Sequence, residues 1–294
     1  MFACHMTGQK TIQYTSIYVY IFGDFVYNIL VMWTTFISVF VKMKSMKQLS
    51  KKSYIVCSTP RTGSSFFCSL LKSTGLAGYP ESYFRKQDID RWALKLGVTN
   101  SLNEIVNPDE YVNAVVKSGS TDNGIFATRI MWGTMQEVLG DFLLAGEDDL
   151  HTDLEVLTEV LGQMKFVYLQ RSDVVAQAVS RWRAEQTNVW HNLEDSKDVT
   201  PDIELEYNFE KIHGFVLEVE EHSEHWNKWF LENNIQPHKV IYEDLINEPM
   251  NVIKKTLSYL EIDVPEDISI SAPNKKLADE VNREWIERYK KSVL

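Results

Sequence analysis

The chain has 294 residues, a length that suits one large α/β domain or two small ones. Its formal net charge of -11 argues against a general nucleic-acid-binding surface and leaves room only for a local basic pocket. The three cysteines, Cys4, Cys57 and Cys68, show neither metal-ligand spacing nor a disulfide framework. We therefore expect no metal site, no nucleic-acid partner and a reducing, cytoplasmic compartment.

Residues 1–50 differ in composition from the rest and are predicted to form an extension to a working domain at 51–294. Residues 25–41 carry no charge, but a membrane span needs about 20 apolar residues, so the segment is borderline as an anchor. The lysines that follow would place the main domain on the cytoplasmic side. The alternative is an upstream extension without a membrane role, because Met43 and Met46 both precede the first predicted strand.

The segment 54–75 reads as a strand, a tight loop and a helix. Residues 54–57 are β-prone, and the loop 58–63 contains a proline and a glycine that favour a turn. From Ser64 onward the apolar residues recur at helical spacing, up to a glycine typical of helix ends. A helix that begins directly after such a loop offers N–H donors and a partial positive charge to a phosphate group.

Three further strands are predicted at 125–131, 165–170 and 239–242, with helical patterns between them. Ser172 is the expected cap of the helix after the third strand, and 203–230 is expected to form one long helix. Strands that alternate with helices at these intervals predict an α/β fold with a mostly parallel sheet and helices on both faces.

Two arginines stand at the predicted carboxyl ends of strands, where ligands bind in such sheets. Arg61 lies in the loop after the first strand, and Arg171 follows the third. Ser180 lies on the polar side of the next predicted helix. Because arginine pairs well with phosphate, this arrangement favours a nucleotide that carries two separate phosphate groups.

Several motifs resemble those of one enzyme family. STPRTGSS after a strand resembles the loop by which sulfotransferases hold the donor 3′-phosphoadenosine 5′-phosphosulfate (PAPS), and Arg171 with Ser180 resembles their second motif. The segments RSDVVAQAVSRWRAEQTNVW, GLAGYPESYF and REWIERYKK resemble the trehalose 2-sulfotransferase family. The resemblance runs from about Tyr54 to Lys291 and implies the P-loop-like sulfotransferase fold.

The resemblance also implies roles for individual residues. Arg61 would contact the transferring sulfonate, and Arg171 with Ser180 would hold the 3′-phosphate. The 5′-phosphate would bind to the consecutive residues Thr62, Gly63, Ser64 and Ser65. Lys275 and Lys276 lie in a late segment that often closes over the donor in sulfotransferases.

The family resemblance points to a general base in the turn that reads Gly-Tyr-Pro-Glu-Ser at 78–82. The family has its glutamate at the position that is Ser82 here, so this chain departs from the pattern. Glu81 is one residue earlier, and we assign the base to Glu81. Further candidates are the neighbouring carboxylates and a histidine near the second motif, namely Asp88, Asp90 and His191.

The predicted function is transfer of a sulfuryl group from PAPS to a hydroxyl of a carbohydrate or glycolipid, without a metal. The resemblance also suggests a homodimer. One alternative is a P-loop nucleotide kinase or ATPase, for which Asp244 after the fourth strand would be a candidate Mg²⁺ ligand. Another alternative is a nucleotide-binding module without catalysis.

Overall fold

The computed structural model of the chain describes residues 52–100, 108–138, 152–190, 204–265, 268, 270 and 280–293. The predicted extension at 1–50, including the charge-free segment 25–41, lies outside these residues. Within the described ranges, no helix combines the length and apolar character that crossing a membrane requires.

Four strands in the described part of the chain form one parallel sheet, in the order β2-β1-β3-β4. The strands are β1 (Lys52–Ser58), β2 (Ile125–Met131), β3 (Met164–Gln170) and β4 (His238–Ile241). β1 is central, and its register pairs Val56 with Arg129 of β2 and with Val167 of β3. The predicted α/β class with a mostly parallel sheet is confirmed.

Helices connect and follow these strands. In chain order they are α1 (Ser64–Ser73), α2 (Lys86–Leu96), α3 (Pro108–Ser118), α4 (Trp132–Val138), α5 (Asp153–Leu161), α6 (Val174–Thr187), α7 (Phe209–Glu232), α8 (Tyr242–Asn247), α9 (Pro249–Tyr259) and α10 (Glu280–Ser292).

Helices cover both faces of the sheet. Successive side chains of a strand point to opposite faces, so each strand packs against helices on both sides. On one face Val56 and Val167 pack in a core with Phe67 of α1 and Leu257 of α9. On the other face the β3 aromatics contact α7, with the ring of Tyr168 5.3 Å from that of Phe230. Each such buried side chain contributes about 1.5–3 kcal/mol, so the two faces together hold the strand ends in place.

The structure corrects three sequence predictions. The helix expected from Ile203 begins at Phe209, because the side chain of Asn208 caps it by accepting from the Lys211 amide. Asp173, not Ser172, caps α6 by accepting from the amide of Ala176 at 2.8 Å. The fourth strand ends at Ile241, and Tyr242 begins α8 instead of continuing the strand.

Candidate active site

The loop between β1 and α1 adopts a backbone that few sequences tolerate. Arg61 has a positive φ of 67°, and Gly63, the N-cap of α1, has a φ of 85°. The hydroxyl of buried Thr62 donates to the carbonyl of Thr59 at 3.0 Å, which closes the loop on itself. Gly63 provides no side chain to cap α1, so the N–H groups at the positive end of this helix receive no acceptor from the N-cap residue.

Gly63 is required by a close approach as well as by its backbone angle. A Cβ atom at this position would lie 2.4 Å from Cδ2 of Tyr242, far inside van der Waals contact. Tyr242 reaches the loop because β4 ends one residue earlier and α8 turns its ring toward β1. The sequence reading placed Tyr242 in a strand and therefore missed this contact.

The Arg61 side chain extends from the loop toward α6. Its Nε atom donates to Ser180 Oγ at 3.1 Å, and Nη1 donates to the carbonyl of Trp190. Burial, and then the positive charge of Arg171, lower the pKa of Arg61 from its ordinary value. The charge of Arg171 thus acts on the Arg61 guanidinium, and an anionic ligand nearby would relieve this repulsion.

Arg171 follows β3 and lies beside the same loop. Its Nη1 atom donates to the Arg61 carbonyl at 3.5 Å, and its guanidinium carbon lies 4.6 Å from the centre of the Tyr242 ring. Its Nε atom is buried and has no hydrogen-bond partner among the described residues. Because buried donors are nearly always paired, this N–H group is able to donate to an acceptor on a ligand.

Two side chains that the sequence reading did not identify hold these loops. Gln177 of α6 is 1% exposed, and its Nε2 atom donates to Thr59 Oγ1 at 2.8 Å and to the Pro60 carbonyl at 2.6 Å. The carboxylate of Glu243 accepts from the amides of Ser172 and Asp173. Nothing in the local sequence indicates either contact, because the partners come from distant parts of the chain.

A cleft of about 360 Å³ opens beside Arg171 between the end of β3 and helix α7. Its lining mixes polar and apolar side chains and includes Thr59, Leu169, Arg171, Val174, Gln177 and Glu220. The cleft therefore offers a ligand both apolar surface and hydrogen-bonding groups beside Arg171.

A third arginine reaches the start of α1 from the other side of β1. Arg129 of β2 is only 8% exposed, and its Nε atom donates to Ser82 Oγ at 3.0 Å. Its Nη1 atom donates to Ser65 Oγ at 3.0 Å and to Ser64 Oγ at 3.4 Å. The one signal for Arg129 in the sequence is a charged residue inside the otherwise uncharged segment IFATRIM.

Glu81, the assigned base, and Ser82, which stands at the family's base position, have different partners. The Glu81 carboxylate pairs with Lys72 in the last turn of α1, whereas Ser82 contacts Arg129, which in turn contacts the first turn of α1. The backbone carbonyl of Glu81 accepts from the amide of Arg129 at 2.9 Å, which ties this turn to β2.

The structure brings together most of the predicted donor-binding residues. Arg61, Ser180 and Arg171 are joined by direct contacts, and Ser64 and Ser65 lie at the start of α1. Among the described side chains, the Glu81 carboxylate pairs with Lys72 and with none of these residues. Of the other residues singled out, Asp88 pairs with Arg85 and Arg91, Asp90 is exposed, and His191, Lys275 and Lys276 lie outside the described residues.

Comparisons with known proteins connect the chain with one family. The family model for Stf0 sulphotransferase matches residues 53–292. A trehalose 2-sulfotransferase of Mycolicibacterium smegmatis is 27% identical over 270 residues, covering 82% of this chain and 95% of that protein. A trehalose 2-sulfotransferase of Mycobacterium tuberculosis is 26% identical over 260 residues, covering 81% and 94%.

A solved structure, the sulfotransferase domain of the Synechococcus PCC 7002 olefin synthase, aligns with a TM-score of 0.41 and 13% identity. It covers 82% of this chain and 95% of that domain.

The family match covers most of the chain, including the loop after β1. The protein is therefore a sulfotransferase. It belongs to the Stf0 sulphotransferase family, which confirms the resemblance seen in the sequence.

Proposed function

We propose that this enzyme transfers the sulfuryl group of PAPS to a hydroxyl of a carbohydrate or glycolipid. The observation that carries the proposal is the convergence of Arg61 and Arg171 on the loop that precedes α1. Two arginines from separate loops, with the Arg171 guanidinium against the backbone of Arg61, suit a nucleotide with phosphate groups at its 3′ and 5′ positions.

The chain's own residues fit such a donor. The start of α1, with the hydroxyls of Ser64 and Ser65, would receive the 5′-phosphate. The buried Nε atom of Arg171 has no partner among the described residues and would donate to the 3′-phosphate together with Ser180. Arg61, whose Nε atom donates to Ser180 in this structure, would exchange that contact to reach the oxygen that bridges phosphate and sulfonate, where negative charge develops during transfer.

Transfer breaks the S–O bond to the bridging phosphate oxygen and forms a new S–O bond to the acceptor oxygen. The electron pair stays on the phosphate oxygen of the product 3′-phosphoadenosine 5′-phosphate (PAP), and the acceptor proton passes to a base. Fixed donors at the start of α1 stabilise the leaving phosphate without reorganising, which is the main contribution expected from the protein.

We propose Glu81 as the base that accepts the acceptor proton. To do so its carboxylate must exchange Lys72 for the acceptor hydroxyl. Both side chains of the Lys72–Glu81 pair are about one-third exposed, at 33% and 31%. A pair of this kind is worth about 0–1 kcal/mol, so the exchange costs little.

The kinase or ATPase alternative is set aside by the family match. Asp244, its candidate magnesium ligand, lies in α8. Among the described residues, no group of three or more histidine, cysteine or carboxylate side chains is placed to hold a metal ion.

The acceptor class follows from the relatives, both of which carry the name trehalose 2-sulfotransferase. The test is incubation of the protein with PAPS and a panel of disaccharides, glycolipids and small alcohols, with mass spectrometry of the products. We expect a sulfated carbohydrate that is lost in an Arg171→Ala variant. Sulfated alcohols with no sulfated carbohydrate would contradict the acceptor class.

A further inference from the structure

Arg129 is a buried cation without a carboxylate partner among the described residues. Its side-chain hydrogen bonds go to the hydroxyls of Ser82, Ser64 and Ser65. Removing a guanidinium from water is costly, and neutral hydroxyls return less than an anion does. The arrangement therefore points to an anionic ligand at this place.

The register of the sheet directs Arg129 toward the start of α1. Ala127 and Ile125, on the same face of β2, pack in the core that contains α1. Arg129, two residues after Ala127, therefore points to that face as well and meets the first turn of α1 beyond the core. Ser65 in this turn is exposed, so the guanidinium reaches the edge of the site.

The strand order places three arginines one after another along the edge of the sheet. Arg171 follows β3, the loop with Arg61 follows the central β1, and Arg129 belongs to β2 on the opposite side. The Arg61 side chain extends toward α6, through its contacts with Ser180 and Trp190. Arg129 is thus a basic residue on the β2 side of the N-terminus of α1.

A PAPS molecule has the same linear order: 3′-phosphate, ribose, 5′-phosphate and sulfonate. With the 3′-phosphate at Arg171 and the 5′-phosphate at the start of α1, the sulfonate extends toward β2. We infer that Arg129 contacts the terminal sulfonate oxygens of the donor and that Ser82 orients its guanidinium. This inference rests on the proposed function and adds a residue that holds the group being transferred.

The neighbouring turn supports this location. The carbonyl of Glu81 accepts from the amide of Arg129, and Ser82 contacts the Arg129 side chain. The turn that bears the proposed base is therefore tied to the residue that would hold the sulfonate. Such coupling would place the acceptor hydroxyl and the sulfur atom side by side.

The test compares two ligands that differ only in the sulfonate, by calorimetry on the full chain without an acceptor. Arg129→Gln should weaken PAPS binding by at least about 10-fold, the scale of a lost charge-assisted hydrogen bond, and change PAP binding by less than about 3-fold. Arg129→Lys, which keeps the charge, should recover part of the PAPS affinity.

Two other variants calibrate the result. Arg171→Ala should weaken PAP and PAPS alike, since both carry the 3′-phosphate. Arg91→Gln removes an arginine whose side chain is 71% exposed, and it should change neither affinity. If Arg129→Gln does not fold, Arg129→Lys and Ser82→Ala take its place, and each should weaken PAPS more than PAP.

Equal losses for PAP and PAPS in the Arg129 and Ser82 variants, or no loss in either, would overturn the inference and leave the proposed function standing. A wild-type protein that binds neither ligand would overturn both. The two failures are therefore distinguishable in one set of titrations.

Discussion

The Nε atom of Arg61 donates a hydrogen bond of 3.1 Å to Ser180 Oγ, which joins the loop after β1 to helix α6. The two residues are 119 positions apart in the chain. They belong to the two motifs that the resemblance assigns to opposite ends of the donor. The contact makes the two motifs one unit, so a change in either is expected to alter how the whole donor is held.

Replacing Arg171 tests the 3′-phosphate site. Arg171→Ala should weaken PAP binding by about 2–4 kcal/mol, because a charge-assisted contact is lost in a partly buried place. Calorimetry at fixed salt measures the change, with exposed Arg91→Ala as the matched control. Unchanged PAP affinity would contradict the assignment of Arg171 to the 3′-phosphate site.

Gly63 and Gly75 form a matched pair for testing the loop. Both have a positive φ, but a Cβ at Gly75 would meet nothing within 4 Å, whereas one at Gly63 would meet the Tyr242 ring. Gly75→Ala should cost about 1–2 kcal/mol of stability from the backbone alone. Gly63→Ala should cost about 2–5 kcal/mol and also weaken PAP binding. Urea unfolding and calorimetry measure both, and equal costs would contradict the steric argument.

Glu81→Gln tests the proposed base. Turnover should fall by at least about 10²-fold while PAPS affinity stays nearly unchanged, because the proton acceptor is lost and the donor site is not. Ser82→Ala should be mild by comparison in turnover.

The control for Glu81 is Lys72→Gln, which removes the same ion pair and keeps the carboxylate. It should retain turnover within about 3-fold, since the exposed pair contributes little to the fold. An equal loss in Lys72→Gln would assign the effect to the ion pair. Full turnover of Glu81→Gln in a chemistry-limited assay would exclude Glu81 and direct attention to Asp88, Asp90 or His191.

Residues 1–45 are expected to be dispensable for folding and PAP binding, because the family match begins at residue 53. A shortened chain that begins at Met46 should be soluble, melt cooperatively and bind PAP with the affinity of the full chain. Aggregation of the shortened chain beside a soluble full-length protein would show that the extension belongs to the core.

Because Cys68 is buried, we expect the protein to become less stable toward unfolding at alkaline pH. Burial raises the pKa of its thiol to about 11, from an ordinary value of 9.0. The folded state therefore keeps a proton that the unfolded state releases, so the free energy of unfolding falls as pH rises between about 9 and 11, by about 3 kcal/mol for this group.

Urea unfolding across that pH range measures the fall in stability. The Cys68→Ala variant should lose about this part of the pH dependence while Cys57, whose pKa is also raised by burial, still contributes. A wild-type slope identical to that of the variant would contradict the assignment to Cys68.

The sequence by itself determined the local elements of this protein and the residue types of its donor site. The strand, loop and helix around Arg61 follow from β-prone residues, turn residues and helical spacing, all of which act over a few positions. The second strand, Ile125–Met131, was predicted with its observed bounds for the same reason. Family motifs added the pairing of Arg171 with Ser180.

Only the tertiary structure decided which side chains meet. Arg129 lies at the start of α1 because β2 is hydrogen-bonded to β1 in one register, and nothing near Arg129 in the chain encodes that pairing. Tyr242 closes on Gly63, and Glu81 pairs with Lys72 while Ser82 reaches Arg129, for similar reasons. These contacts depend on strand order and on packing between distant segments, whereas periodicity in a sequence reports only on neighbours along the chain.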